Sequence, residues 1–242
     1  MGDKEQRILE RIDLLRDEII KFHQQIVQIP SENPPAKYKE VAKFTANKME
    51  EIGLEVQIKR NNVVGKVGND DGRSLIFYGH YDTVEAFKGW TKKPFGGEII
   101  DGKIFGRGSC DDKSSVTAEI FATQVILEIH PDLNGRLTLT AVGDEELGGL
   151  SGIQYLLNSG LVKGDVCLLG DSPFGYPFGY CGGGMFPSFI VKGKQSHGMA
   201  FPDVPEPYRN EQTGINAIQK MVKIINFLLE MKKRLNQKET KY

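Results

Sequence analysis

Net charge is all but missing: 31 Lys and Arg stand against 32 Asp and Glu, leaving a formal charge of -1. That balance removes any global electrostatic case for nucleic acid or an anionic membrane surface, so a charged partner must be recognised locally. Cysteine is scarce as well. Cys110, Cys167 and Cys181 are odd in number and lack metal-type pairing, which fits a reducing, cytoplasmic setting better than a disulfide framework. No apolar run approaches the roughly 20 residues that span a bilayer. The opening MGDKEQRILERIDLLRDEIIKF is charged throughout and lacks the apolar centre of a secretory signal, and Gln6 breaks the pattern for N-myristoylation. Internal repeats are absent. What is present, 242 residues of which 39% are hydrophobic, suffices for one large or two modest globular domains.

Apolar positions Ile8, Ile12, Leu15, Ile19, Phe22 and Ile26 recur at three and four, predicting one amphipathic helix from about Asp3 to Gln28 that IPSENPP terminates. A second helix is expected from Tyr38 to Ile52, closed by Gly53. LEVQIK, NVVGKVG and SLIFYGH read as strands, the last a near-continuous apolar run of the kind covered on both faces. SSVTAEIFATQVILEI has a helical period, RLTLTAVGDEE reads as a strand, SGIQYLLNSGL as a short helix and DVCLLGDS as a strand. This alternation predicts an α/β fold with a mostly parallel sheet between helices. After Asp171 the texture changes. PFGYPFGYCGGGM suggests a boundary, placing a catalytic domain over 1–183 and part of a smaller α+β domain over 184–242. There FPSFIVKGKQSH reads as a strand and TGINAIQKMVKIINFLLEMKKRLN as a long amphipathic helix, with a frayed end, QKETKY.

Apolar strands in this reading finish in acids or histidine: SLIFYGHYD with His80 and Asp82, LTLTAVGDEE with Asp144, Glu145 and Glu146, and VCLLGD with Asp171. The glycine-rich GRGSCDD adds Asp111 and Asp112. Ligands of open α/β sheets gather beyond the carboxyl ends of the strands, so these groups should converge. Carboxylates crowded together raise one another's pKa values unless a cation offsets them. One histidine among carboxylates suits zinc, and also manganese or cobalt, in a hydrolytic site. Calcium is disfavoured because EF-hand spacing is absent and histidine is a poor ligand for it. Taken singly, His-x-Asp can be a loop pair, DEE a solvated turn, GRGSCDDK a tight turn and GDS an N-cap. Their joint placement at strand ends is what carries the metal reading.

In order along the chain, YGHYDTV, GWTKKPFGGEIIDGKIFGRGSCDDK, GDEELGG, LLGD and VKGKQSHGMAFP resemble the di-zinc amidohydrolases that include acetylornithine deacetylase, succinyl-diaminopimelate desuccinylase, aminoacylase and glutamate carboxypeptidases. The resemblance implies that His80, Asp111, Glu146 and Asp171 are metal ligands, with Asp111 bridging two ions and Asp171 completing the His80 site. It implies that Asp82 orients the His80 ring, a role common around zinc, and that Asp112 is not a ligand. A cis peptide after Asp111 is frequent in that family. Glu145 matches the general base, which takes a proton from water and gives it to the leaving amine. Adjacent residues of an extended chain point oppositely, which would let Glu146 hold metal while its neighbour Glu145 reaches the water. His197 matches a histidine of the smaller lid domain that serves the partner subunit's active site, implying a homodimer formed through the lid. The implied activity is hydrolysis of an N-acyl amino acid or small peptide using two Zn2+, with Co2+ or Mn2+ as substitutes.

The resemblance also exposes a gap. Such enzymes supply one more histidine ligand late in the chain, and this sequence has only His23, His80, His130 and His197. His23 and His130 occur in other contexts and read as structural or surface residues. The expectation is therefore an amino-terminal portion of a longer enzyme, prone to association through an uncovered sheet edge. The alternative is a truncated, non-catalytic relative that keeps the fold and binds at most one metal tightly.

Overall fold

A computed structural model describes residues 2–171, 187–195 and 214–237. The chain divides into two compact units, Met1–Pro177 and Phe178–Tyr242. The boundary that the sequence suggests, between 183 and 184, lies outside the described residues.

The first unit opens with helices α1 (Asp3–Leu14) and α2 (Arg16–Val27), where the sequence predicts one helix. The break is at Leu15, whose N–H is shared between the carbonyls of Arg11 and Ile12 at 3.1 Å each. A three-residue bond tightens the turn, and Leu15 drops into the core. Helix α3 (Lys39–Glu51) ends before Gly53, which takes φ +96°, a conformation that suits glycine at a helix end.

Five strands form the main sheet. Their spatial order is β1 (Glu55–Lys59), β2 (Asn62–Gly68), β6 (Arg136–Val142), β3 (Ser74–His80) and β7 (Val166–Leu169). Strands β6 and β7 run parallel to β3, β2 runs against β6, and β1 runs against β2. Within this sheet β2 alone opposes the common direction, so the sheet is mostly parallel, as the alternation of elements implies. Side chains alternate between its faces. Val63, Phe77 and Ala141 join one cluster with Phe22, Ile26, Val41 and Met49, and with Val116, Ile120 and Phe121 of α4 (Lys113–Ile129). Val64, Ile76, Tyr78 and Val142 form the other, with Leu156 of α5 (Ile153–Asn158). At roughly 1.5–3 kcal/mol for each large aliphatic or aromatic side chain fully buried, these two layers hold the sheet rigid beneath its carboxyl edge. Strand β7 lies at the sheet's margin and all four of its residues are exposed.

A small hairpin not foreseen from the sequence, β4 (Glu98–Ile100) and β5 (Lys103–Phe105), turns through Asp101 and Gly102 at φ +50° and +72°. Asp-Gly between short apolar runs, as in IIDGKIF, is the signal that identifies such a turn.

In the second unit the strand expected over FPSFIVKGKQSH reduces, within the described residues 187–195, to an isolated antiparallel bridge between Lys194 and Ile215. A strand needs a ladder of such bonds, and a single bridged pair does not make one. The long helix is present as α6 (Ala217–Asn236), capped by the Asn216 side chain, which accepts from the N–H groups of Ile218 and Gln219. No helix among the described residues is long and apolar enough to cross a membrane.

Candidate metal centre

Because β3, β6 and β7 run in one direction, their carboxyl ends emerge together. His80 is the last residue of β3 and pairs with Val142 at the end of β6. Asp171 follows β7 by two residues, with the intervening Gly170 N–H bonded to the Tyr78 carbonyl at 3.1 Å. Asp111 arrives in the glycine-rich loop that leads into α4. His80, Asp111 and Asp171 each offer one ligand atom, and these atoms lie within 4.8 Å of one another.

His80 is fully buried, and its Nε2 finds no hydrogen-bond partner among the described residues. It lies 3.1 Å from Asp111 Oδ1, 3.7 Å from Glu145 Oε2 and 4.0 Å from Asp171 Oδ2. The other ring nitrogen, Nδ1, sits 3.1 Å from the Asp82 carbonyl oxygen and 3.2 Å from Asp82 Oδ1. Two acceptors there place the proton of a neutral ring on Nδ1, which leaves the Nε2 lone pair facing the carboxylates.

Burial opposes charging of His80, but Asp82, with Asp112 and Glu145, outweighs it and raises the pKa to about 9. Glu145, Glu146 and Asp171 are all lifted above the ordinary carboxylate range. Burial is the main cause and neighbouring carboxylates add to it, against a lowering by the His80 charge. The cluster thus holds protons in place of a cation. Two donors on one tetrahedral zinc, each at roughly 2.1 Å, stand about 3.4 Å apart. An orphaned, buried imidazole nitrogen among carboxylate oxygens at these spacings fits a divalent ion.

Asp82 organises the surroundings. The structure corrects the extended chain expected at Glu145 and Glu146: residues Glu145–Leu147 wind into a single 3-10 turn after Asp144 at φ +72°. What holds this turn is the buried Asp82 carboxylate, whose Oδ1 accepts the Glu145 N–H and Oδ2 the Glu146 N–H, each at 3.2 Å. Asn33 Nδ2 donates to the same Oδ2 at 3.3 Å. Asn33 reaches it because the segment after α2 lies beside Thr83, with Thr83 N–H donating to Ser31 at 3.1 Å and Asn33 N–H to Thr83 at 2.8 Å. The Glu145 carboxylate comes close to Nε2, whereas Glu146 stands outside the group of three donors. His197 lies outside the described residues. His130 ends α4 and His23 is buried in α2; neither joins the cluster.

Asp112 has a structural task that its sequence position does not announce. It is fully buried, its Oδ2 accepts the His80 backbone N–H at 3.2 Å, and its Oδ1 accepts the Ser115 hydroxyl. It therefore ties the end of β3 to the start of α4, and burial above all pushes its pKa up to about 6. The peptide between Asp111 and Asp112 is cis. One helical turn beyond Ser115, Glu119 is buried with Oε1 unpartnered among the described residues. Burial, then Asp112, holds its pKa well above the ordinary carboxylate range. The folded chain keeps this proton after the unfolded chain has released it, so the stability it contributes is lost as pH rises. Glu119→Gln should melt close to wild type near pH 5 and several degrees above it at pH 8, as scanning calorimetry of the metal-free chain would register.

The sequence matches the peptidase family M20/M25/M40 over residues 76–226. The chain belongs to this family. Among M20/M25/M40 relatives, succinyl-diaminopimelate desuccinylase of Rhodospirillum centenum is 37% identical over 135 residues, covering 53% of this chain and 34% of that protein. An uncharacterised metallohydrolase of Methanocaldococcus jannaschii is 30% identical over 217 residues, covering 77% of this chain and 52% of the relative. The chain thus spans about a third to a half of the length of the curated relatives it matches. Its fold is similar to human carnosine dipeptidase 1, with a TM-score of 0.61, 23% identity, and 71% of this chain against 42% of that one. An M20 family metallo-carboxypeptidase of Sulfolobus solfataricus gives a TM-score of 0.57 at 23% identity, over 63% of this chain and 37% of that one. These two likenesses concern the M20 fold.

Proposed function

We propose that this chain carries the catalytic site of a metal-dependent hydrolase that cleaves the amide bond of an N-acyl amino acid or small peptide. Zinc is its metal in this reading, with cobalt or manganese as substitutes. The observation that carries it is the buried His80 Nε2, without a hydrogen-bond partner among the described residues, with carboxylate oxygens of Asp111, Glu145 and Asp171 within 4.0 Å. Likeness to desuccinylases supports the choice of an amide as the bond cleaved.

In this reading His80, Asp111 and Asp171 hold one ion, and Asp111 with Glu146 holds part of a second site. Bound ions would polarise the acyl carbonyl and make a coordinated water acidic near neutral pH. Glu145 accepts the proton of the attacking water at a carboxylate oxygen and delivers it to the leaving nitrogen. Its raised pKa favours holding that proton between the two transfers. Asp82 keeps the His80 ring in the tautomer that presents Nε2 and fixes the turn that carries Glu145. Residues 184–242 belong, in the same proposal, to a lid that pairs two chains in the cytoplasm, with His197 serving the neighbouring site.

Zinc titration by calorimetry tests this. At least one tight equivalent should bind the wild-type chain and disappear in His80→Ala. No uptake of zinc, cobalt or manganese, or uptake indifferent to His80→Ala, overturns the reading. Two equivalents with turnover of acylated amino acids or dipeptides mark the enzyme. One equivalent without turnover marks the non-catalytic relative instead.

A further inference from the structure

We propose that His23, on helix α2, is a positioning residue that aims Asp111 at the metal; the inference rests on the metal-site reading above. Asp111 is the most exposed of the three donors: its side chain is 62% exposed, against 36% for Asp171 and none for His80. Its direction is therefore set by the backbone on either side. On one side that backbone is pegged at two successive carbonyls. Ser109 O lies 2.9 Å from His23 Nε2, and Cys110 O accepts the Ser114 hydroxyl at 2.5 Å. Ser114 belongs to α4 itself, so His23 is the tie that comes from a different helix.

The ring is well placed for this. Only 9% of His23 is exposed, and α2 is fastened to the core on both sides of it by Phe22 and Ile26. Nδ1 is 3.1 Å from the Thr117 hydroxyl of α4, which is also 2.8 Å from the Lys113 carbonyl and divides its hydrogen between the two. A carbonyl can only accept, so the single N–H of a neutral ring goes to Ser109 from Nε2, and Nδ1 is left to accept its share of the Thr117 hydrogen. Burial lowers the pKa of His23, in keeping with a neutral ring. Losing the donor strips a partner from Ser109, and the loop gains freedom one residue away from Cys110 and two from Asp111.

Zinc affinity, measured well below the melting transition, separates aiming from mere stability, because the folded fraction is then complete. His23→Leu is expected to bind zinc up to about 10-fold more weakly, the low end of what losing a direct partner of a ligand costs, because His23 acts two residues away from Asp111. His23→Gln, whose amide can still donate to Ser109, should recover most of it. Thr117→Val, which keeps Nε2 but frees the ring, should lose a few-fold and serves if His23→Leu does not fold. Nitrogen NMR of the wild-type ring should show the proton on Nε2. Wild-type affinity in folded His23→Leu, equal weakness in the Leu and Gln variants, an unaltered Thr117→Val when His23→Leu is unfolded, or the proton on Nδ1 would overturn the proposal. A wild-type chain that takes up no zinc instead removes the metal reading, and this inference with it.

Discussion

Under the proposed hydrolysis of an N-acyl amino acid or small peptide, Glu145→Gln is expected to lower turnover by roughly 10²–10⁴-fold, the span associated with a lost proton carrier, while zinc uptake stays at the wild-type level. The separation follows from where Glu145 sits. Its carboxylate approaches His80 Nε2 to 3.7 Å, yet the three donors that converge within 4.8 Å are His80, Asp111 and Asp171. The turn that carries it is held through its backbone N–H, which glutamine retains. An amide of the same shape therefore leaves the geometry in place but cannot take a proton from water. Steady-state kinetics together with the metal content of the purified variant decide the matter. Turnover within a few-fold of wild type would remove the general-base role, and zinc lost along with turnover would make Glu145 a ligand.

The second large effect belongs to Asp82. Asp82→Ala should destabilise the metal-free chain by about 3 kcal/mol and weaken zinc binding by roughly 10–100-fold. The reason is the number of groups that lose their partner at once. The N–H groups of Glu145 and Glu146 and the Asn33 amide are left without an acceptor, and His80 Nδ1 loses the carboxylate beside it. Each unsatisfied buried donor costs about 1–3 kcal/mol before the neighbourhood relaxes. Asp82→Asn should fall between, since one acceptor oxygen remains while the new amide faces existing donors. Urea unfolding of the metal-free variants, paired with zinc titration, reads both quantities. An alanine variant as stable as wild type, with unchanged zinc affinity, would show that the turn and the ring are held by something else.

Strands and site donors were legible because they obey local rules. The bounds of β2 and β3 coincide with the apolar runs NVVGKVG and SLIFYGH, and polar residues directly after such runs have few uses in a core. The resemblance to the di-zinc amidohydrolases then named His80, Asp111, Glu146 and Asp171, of which the fold brings His80, Asp111 and Asp171 together. The unread features depend on other kinds of information. Leu15 interrupts a helical pattern that is unbroken in the sequence, because sharing one N–H between two carbonyls depends on packing. The 3-10 turn at Glu145 forms because a distant carboxylate captures two N–H groups, so a strand ending in DEE looked extended. Asn33, Asp112 and His23 act through partners remote in sequence, and neither composition nor period encodes a contact of that kind. The β4–β5 hairpin is different, since Asp101-Gly102 was there to be read.

The partners of Asp82 lie far apart in the chain, Asn33 by 49 positions and Glu145 by 63. Closing loops of that size carries an entropic penalty that short-range contacts escape. The donor cluster consequently depends on the amino-terminal segment, β3 and the residues after β6 being brought together. A proteolytic nick anywhere between Asn33 and Glu145 would strike the continuity on which that assembly depends.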